Sequence, residues 1–421
     1  VRRLEGLDGL RGVLALYVMA HHIGPFVAVP AGFSWLPGLV SHGEAAVDVF
    51  FILSGLVIVP SVQAFGGRAL PFLVARLGRI YPVFLVALVA AVAVAALPSD
   101  FALMPWLGPL APDFWPHPSA DGWWARLAAH LTLLHGLIPQ GILPYASISF
   151  LGSAWSLSTE IQFYAVIALL AGWAGRLDVV LLRQLTNALL LAAVAALAWQ
   201  AWAPAAWQFS RAFLPQAGQY FALGIASVGV VRGQVTAREF FALVLAACVL
   251  ICLAGGAAKA LPPLIWVACL AAELGWAPLE PLQSLLRATL TRWLGAVSYC
   301  LYLIHEPVQK LLGVAVADWA AGDGAWFDAL FLPLAVVLPI AAAAALHYAV
   351  EVPGIAVSRA WAERLVAAAE EEPALLTAGG GSASRTAGGR PPAPWLRSGS
   401  AASPTDARGR AAGRRRRIAR P

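Results

Sequence analysis

Long apolar runs alternate with short polar breaks along most of the chain, and ten can be drawn: 10–30, 45–63, 82–98, 155–173, 185–203, 214–232, 239–257, 262–280, 294–316 and 327–350. Each is near the roughly 20 residues a helix needs to cross a bilayer. Backbone in lipid must satisfy its own hydrogen bonds, so helices are the expected form. The pattern predicts an all-α, polytopic membrane protein with about ten transmembrane helices in residues 1–353. The first run follows Arg2 and Arg3, as the core of a signal peptide would. It carries His21 and His22 in its middle, however, and is read as the first membrane helix.

Two stretches break the pattern. Residues 99–154 form a long connection rich in tryptophan, including Trp106, Trp115, Trp123 and Trp124. Its piece from Trp123 to Ile138 is apolar enough to lie on the membrane or re-enter it. After a short juxtamembrane segment, 354–371, the tail 372–421 is rich in Gly, Ser, Pro, Ala and Arg and ends in Arg414–Arg417 before the last few residues. A composition of this kind buries no core and is expected to be disordered, with a basic charge suited to anionic lipid.

Composition agrees with the membrane reading. The 421 residues are 60% hydrophobic and 12% charged, against about half and a quarter in soluble domains. The net charge of +6 belongs to the tail: residues 1–351 hold 16 Lys and Arg against 17 Asp and Glu, whereas 352–421 hold 12 against 5. No basic, aromatic-studded face exists on a folded element, so nucleic acid is not an expected partner. With a cytoplasmic N-terminus, the inner connections hold Arg68, Arg76, Arg79, Arg176, Arg183, Arg232, Arg238, Arg287 and Arg292. The outer ones hold only Arg126, Arg211 and Lys259. This asymmetry places both termini inside. Cys248, Cys252, Cys269 and Cys300 lie in apolar runs without metal-ligand spacing, so neither disulfide nor metal is expected.

Ionisable side chains inside spans cost a few kcal/mol on insertion scales and need a reason. Arg11 and His22 are 11 residues apart, which is about three helical turns and ~16 Å of rise on one stripe. Asp8 falls near that stripe, and His21 is turned roughly 80° off it. Arg11, Arg76 and Arg79 gather at the inner mouth. His22, Asp48, Glu160 and His305 lie deeper or further out. Arginine forks suit phosphate because they donate paired, charge-assisted hydrogen bonds. Histidine suits proton transfer because its pKa lies near neutrality. An anionic group donor entering from the cytoplasm fits this layout, and so does a proton-coupled anion transporter.

Five blocks in order carry a resemblance. Leu7-Asp8-Gly9-Leu10-Arg11-Gly12 leads to His22. Val47-Asp48-Val49-Phe50-Phe51-Ile52-Leu53-Ser54-Gly55 follows, and then Arg76-x-x-Arg79-Ile80-Tyr81-Pro82. Trp155-Ser156-Leu157-Ser158-Thr159-Glu160 comes next with Phe163-Tyr164, and last Ser298-Tyr299-Cys300-Leu301-Tyr302-Leu303-Ile304-His305-Glu306-Pro307. Together with His347-Tyr348-Ala349-Val350-Glu351-Val352-Pro353, this set resembles acyltransferase family 3, the integral-membrane O-acyltransferases of bacterial envelopes. The resemblance implies transfer of an acyl group, often acetyl, from acyl-CoA to a hydroxyl of an envelope carbohydrate or other glycosylated acceptor, in the bacterial inner membrane. Arg11, Arg76 and Arg79 are then expected to hold the donor's phosphates, and His22 to act as general base. Glu160 is expected to orient the acceptor or the imidazole. Asp8, Asp48 and His305 are expected to fix helices. Trp155, Tyr164 and Tyr302 are supporting residues. Ser54, Ser156 and Ser158 leave a covalent acyl-enzyme open beside direct transfer. The rival readings are an exporter of an organic anion or lipid-linked sugar, and a scaffold without chemistry.

Overall fold

The computed structural model describes residues 4–27, 36–97, 103–106 and 122–379, without side-chain placement at 36, 37, 257, 258 and 372–379. Of the long connection 99–154, residues 103–106 and 122–154 are described, and the piece from Trp123 holds a helix; of the tail 372–421 expected to be disordered, 372–379 are helical instead, continuing the helix from Val352, and 380–421 lie outside the described residues. Among the described residues there is no strand. The helices are α1 Glu5–Ile23, α2 Leu36–Val40, α3 Gly43–Gln63, α4 Ala69–Ala95, α5 Trp123–Leu131, α6 Trp155–Ala174 and α7 Val179–Trp202. They continue with α8 Leu214–Val231, α9 Ala237–Gly255, α10 Leu261–Glu273, α11 Glu280–Arg287, α12 Thr289–Ala320, α13 Gly324–Leu346 and α14 Val352–Gly379. The π-turn His347–Glu351 joins the last two.

Local sequence explains where several helices begin and end. Asp178 caps α7 by accepting from Leu181 N at 2.9 Å, and Thr236 with Glu239 forms a reciprocal capping box on α9. Gly175 ends α6 at φ 71°, a left-handed conformation that a Cβ disfavours.

Six segments are long and apolar enough to cross a membrane: Gly38–Gln63, Ala69–Ala95, Gly152–Ala174, Val179–Trp202, Ala237–Gly255 and Gly324–Glu371. Helices α10 and α11, bent by 106° at their junction, make a seventh if taken as one span. The other long helices, α1, α8 and α12, carry the polar groups: Asp8, Arg11, His21 and His22 on α1, Gln216 and Gln219 on α8, and His305, Glu306, Gln309 and Lys310 on α12. They sit inside the bundle. Helix α1 packs on α12, α3 and α11, while α8 packs between α3 and α7. A helix sheathed by protein has no need of an apolar circumference.

Small residues bring these inner helices together. A Cβ on Gly12 would lie 2.6 Å from both Gly295 N and Thr291 O, so α1 and α12 touch backbone to backbone. A Cβ on Gly55 would lie 2.5 Å from Phe221 O, which locks α3 to α8 in the same way. Around these contacts Phe51, Phe163, Phe221 and Trp266 fill the core. Two opposite ends result. Asp8, Arg11, Gln63, Arg76 and Arg232 mark an arginine side. His22, Gly43, Trp155, Arg211 and Lys310 mark a histidine side.

Candidate active site

On the arginine side a cavity of about 360 Å³ is lined by Asp8 and Arg11 from α1, Ser54 from α3, Arg76 and Arg79 from α4, and Glu160 and Tyr164 from α6. Arg232 and Tyr299 complete it. Arg76 lies over the Tyr164 ring at 5.2 Å and donates to Ser61 Oγ at 2.9 Å, but its buried Nε has no partner among the described residues. Arg79 Nε stands 3.4 Å from Glu351 Oε1. Glu351, 1% exposed, also meets His347 Nδ1 at 2.8 Å and Cys300 Sγ at 3.3 Å. The π-turn therefore places a buried carboxylate where it aims Arg79. The Cys300, His347 and Glu351 donor atoms are close enough to share a cation, although the charge of Arg79 on Glu351 opposes one. The fields of Glu160 and Asp8 attract Arg11, while Arg79 and Arg76 repel it. Four arginines, one of them already paired with Glu351, face Asp8 and Glu160 here, and an anion would relieve the remaining positive excess.

Glu160 accepts from Ser54 Oγ at 2.9 Å and from the Tyr164 hydroxyl. It thus belongs to the arginine cavity. It does not line the space around His22, where the sequence had it orienting the acceptor or the imidazole.

His22 opens into a second cavity of about 380 Å³, lined also by Tyr302, Glu306, Gln309, Lys310, Ser153 and Trp155. Its Nδ1 lies 3.0 Å from Val18 O. A carbonyl only accepts, so Nδ1 carries the proton and Nε2 keeps its lone pair. The His305 ring stands 4.8 Å away, edge to face. His305 is fully buried, and its own Nδ1 meets Leu301 O at 3.0 Å. His21 lines the same cavity, with its Nδ1 2.8 Å from Val40 O. Glu306 and Lys310, absent from the expected set, form an ion pair of 2.7 Å, and Glu306 also accepts from Ser153 N at 3.0 Å. The signal for them in the sequence was the i,i+4 spacing directly after His305. Ser153 Oγ and Gln309 Oε1 are buried without a partner among the described residues.

The cavities approach each other at the Phe50–Tyr302 pair, whose rings are 6.1 Å apart. Phe50 lines the first cavity and Tyr302 the second. Ser156 Oγ stands 2.8 Å from the Tyr302 hydroxyl, and Ser158 Oγ accepts from Gly136 N at 3.0 Å. Each of the three serines considered as nucleophile is thus hydrogen-bonded to a group other than His22. Asp48 is not in either cavity. It pairs with Arg211 at 3.4 Å, so it joins α3 to the start of α8.

Comparison with known proteins fits this geometry. The acyltransferase-domain family matches residues 4–348. Protein 2 in the picA locus of Rhizobium radiobacter is 30% identical over 45% of this chain and 93% of its own length. Acyltransferase MdmB of Streptomyces mycarofaciens is 26% identical over 84% of this chain and 92% of its own. No solved structure matches. The arginine cavity, the histidine cavity and the helix that carries both residues therefore sit in an acyl-transferring membrane enzyme, a member of acyltransferase family 3.

Proposed function

We propose that the protein moves an acyl group, acetyl in the simplest case, from acyl-CoA to a hydroxyl of an envelope carbohydrate or other glycosylated acceptor. The observation that carries this reading is that α1 alone bears both Arg11 and His22, each opening into its own cavity. In this reading α1, α8, α12 and the bent α10–α11 pair also cross, giving ten spans with both termini cytoplasmic. The arginine bias of that side supports the orientation, and the plasma membrane of a bacterium is the compartment it fits.

Arg11, Arg76, Arg79 and Arg232 hold the donor's phosphates at the cytoplasmic mouth. The Nε of Arg76, without a partner among the described residues, and the surplus of positive charge support this. Glu160, tied to Ser54 and Tyr164, spaces the arginines and limits their mutual repulsion. The acyl end of the donor passes Phe50 and Tyr302 toward His22. There His22 Nε2 takes the proton of the acceptor hydroxyl as its oxygen attacks the thioester carbonyl. The C–S bond breaks, and the departing thiolate takes that proton from the imidazolium. General-base help of this kind typically contributes 10²–10⁴-fold. Ser54, Ser156 and Ser158 are each bonded to a group other than His22, which favours direct transfer over an acyl-serine.

The test is release of free thiol from acetyl-CoA by inside-out vesicles supplied with envelope extract. Release by the wild type and none by His22→Ala is expected. A wild type that liberates no thiol from any acyl-CoA, while moving an anion across the membrane, overturns the enzyme reading of these cavities in favour of the exporter.

A further inference from the structure

A third cavity, of about 270 Å³, lies on the histidine side among α3, α7, α8 and α9 and is used by no step above. It shares Glu44 and Trp155 with the cavity of His22, so the two are neighbours. Its polar wall is built. Arg211 is held between Glu44 and Asp48, at 3.4 Å from the latter, and its guanidinium lies 4.6 Å over the Trp155 ring. The Tyr220 hydroxyl donates to Asp48. Gln216, Gln219 and Tyr220 occupy positions i, i+3 and i+4 of α8, which puts them on one face. Gln219 is 6% exposed. Its Nε2 donates to Gln216 O at 3.0 Å, while its Oε1 has no partner among the described residues. A buried acceptor left unmatched beside a cavity is costly unless something fills the space.

The charges show what kind of ligand fits. Arg211 and Lys259 face Glu44 and Asp48, so the wall is balanced and a phosphate would find no surplus of positive charge, unlike in the arginine cavity. What remains is a dense set of hydrogen-bond groups of both kinds opposite an apolar wall of Ala193, Ala196, Leu197, Leu250 and Ile251. Hydroxyls on one face and C–H groups on the other are the chemistry of a neutral sugar ring. We propose that this cavity binds the glycosyl part of the acceptor, with Gln219 Oε1 and Glu44 accepting from its hydroxyls, and so presents a neighbouring hydroxyl to His22. Its identity as acceptor rests on the acyl-transfer reading above. The binding of a sugar does not.

The test uses the purified full chain in lipid nanodiscs and ligand-observed saturation-transfer NMR, with methyl glycosides of glucose, galactose, mannose and rhamnose as probes and inorganic diphosphate as the anionic control. At least one glycoside is expected to bind the wild type. Gln219→Leu is expected to weaken it at least tenfold, and Glu44→Gln, a milder change at the exposed rim, to weaken it measurably. His22→Ala should leave binding intact, and unfolding temperatures check that each variant is folded. Binding of no glycoside overturns the proposal, as does binding that both Gln219→Leu and Glu44→Gln leave unchanged. Diphosphate binding that Gln219→Leu abolishes, in place of glycoside binding, assigns the cavity to an anionic head group and also overturns it. Glycoside binding lost in Gln219→Leu without any thiol release in the vesicle assay removes the acyl-transfer reading and keeps the sugar site. Thiol release without glycoside binding does the reverse.

Discussion

Substitution of Gly12 by alanine probes the contact on which both cavities depend. Helix α1 supplies Arg11 and His22, and α12 supplies Tyr299, Tyr302, Glu306 and Lys310. A Cβ at Gly12 would lie 2.6 Å from Gly295 N and Thr291 O, and an ordinary contact begins near 3.4 Å. Both obstacles are backbone, so no side chain can swing away. The helices must separate by the difference, about 0.8 Å, at a cost of about 1–3 kcal/mol for overpacking. A displacement near 1 Å of groups that must meet a reacting centre can cost about 10²-fold in rate. Gly12→Ala is therefore expected to lower both the unfolding temperature and the rate of thiol release, the latter by about one to two orders of magnitude. Gly172→Ala is the control. Its Cβ would meet Ala69 at 3.9 Å, an ordinary contact, and helix propensity alone favours alanine by about 1 kcal/mol. Thermal unfolding in nanodiscs and initial rates of thiol release measure the two effects. Gly12→Ala with wild-type values of both would refute the argument that this crossing sets the geometry of the site.

Three further outcomes follow from the same contacts. Arg76→Gln and Arg79→Gln should raise KM for acyl-CoA about tenfold or more, with a smaller effect on kcat, because charge-assisted bonds to phosphate contribute about 1.5–3 kcal/mol each; an unchanged KM in steady-state thiol release would remove these residues from donor binding. Glu306→Gln removes the carboxylate from its 2.7 Å ion pair with Lys310 and should lower the unfolding temperature and slow transfer, whereas a variant equal to wild type in both would make the pair incidental. Between α4 and α6, burial holds the stacked rings of His130 and His135 at pKa values of about 4 and about 3, below the usual 6.5, because desolvation penalises the charged form. The unfolded chain gains protons below pH 6.5 while the folded one does not, so the stability these two contribute is present above that pH and falls as pH drops toward 4. Unfolding temperatures between pH 8 and 5 should show the decline, and His130→Phe should flatten it; a flat wild-type profile would contradict the burial argument.

Much of the site was legible because helical spacing is local. Arg11 and His22 share a stripe of α1, and the structure opens both into cavities. Arg76 and Arg79 lie within one turn and line the same space. The apolar runs fell on the long helices, but the run 82–98 began well inside α4, Ala69–Ala95, and left the turns that carry Arg76 and Arg79 to a connection. Glu160 was legible as an intramembrane acid but not as a partner of Ser54 and Tyr164, since that depends on how α3 meets α6. Glu306 was visible beside His305, yet its role rests on Ser153, more than a hundred residues away. Asp48 and Arg211 are a similar case: their pairing forms only when α8 docks on α3. Helices α1, α8 and α12, drawn as the runs 10–30, 214–232 and 294–316, are not among the six segments long and apolar enough to cross by themselves, because their polar residues dilute their apolar character. Those helices are the ones the fold places inside.

The central claim is that His22 acts in transfer while the arginines act in donor binding. The direct measurement is paired, on the same inside-out vesicles: equilibrium binding of labelled CoA, and transfer of label from acetyl-CoA to envelope acceptor, for wild type, His22→Gln and Arg76→Gln. His22→Gln should bind CoA as the wild type does and lose transfer by at least about 10²-fold, while Arg76→Gln binds more weakly and regains rate at high donor concentration. Full transfer by His22→Gln, or loss of CoA binding in that variant with the arginines intact, would contradict the division of labour between the two cavities.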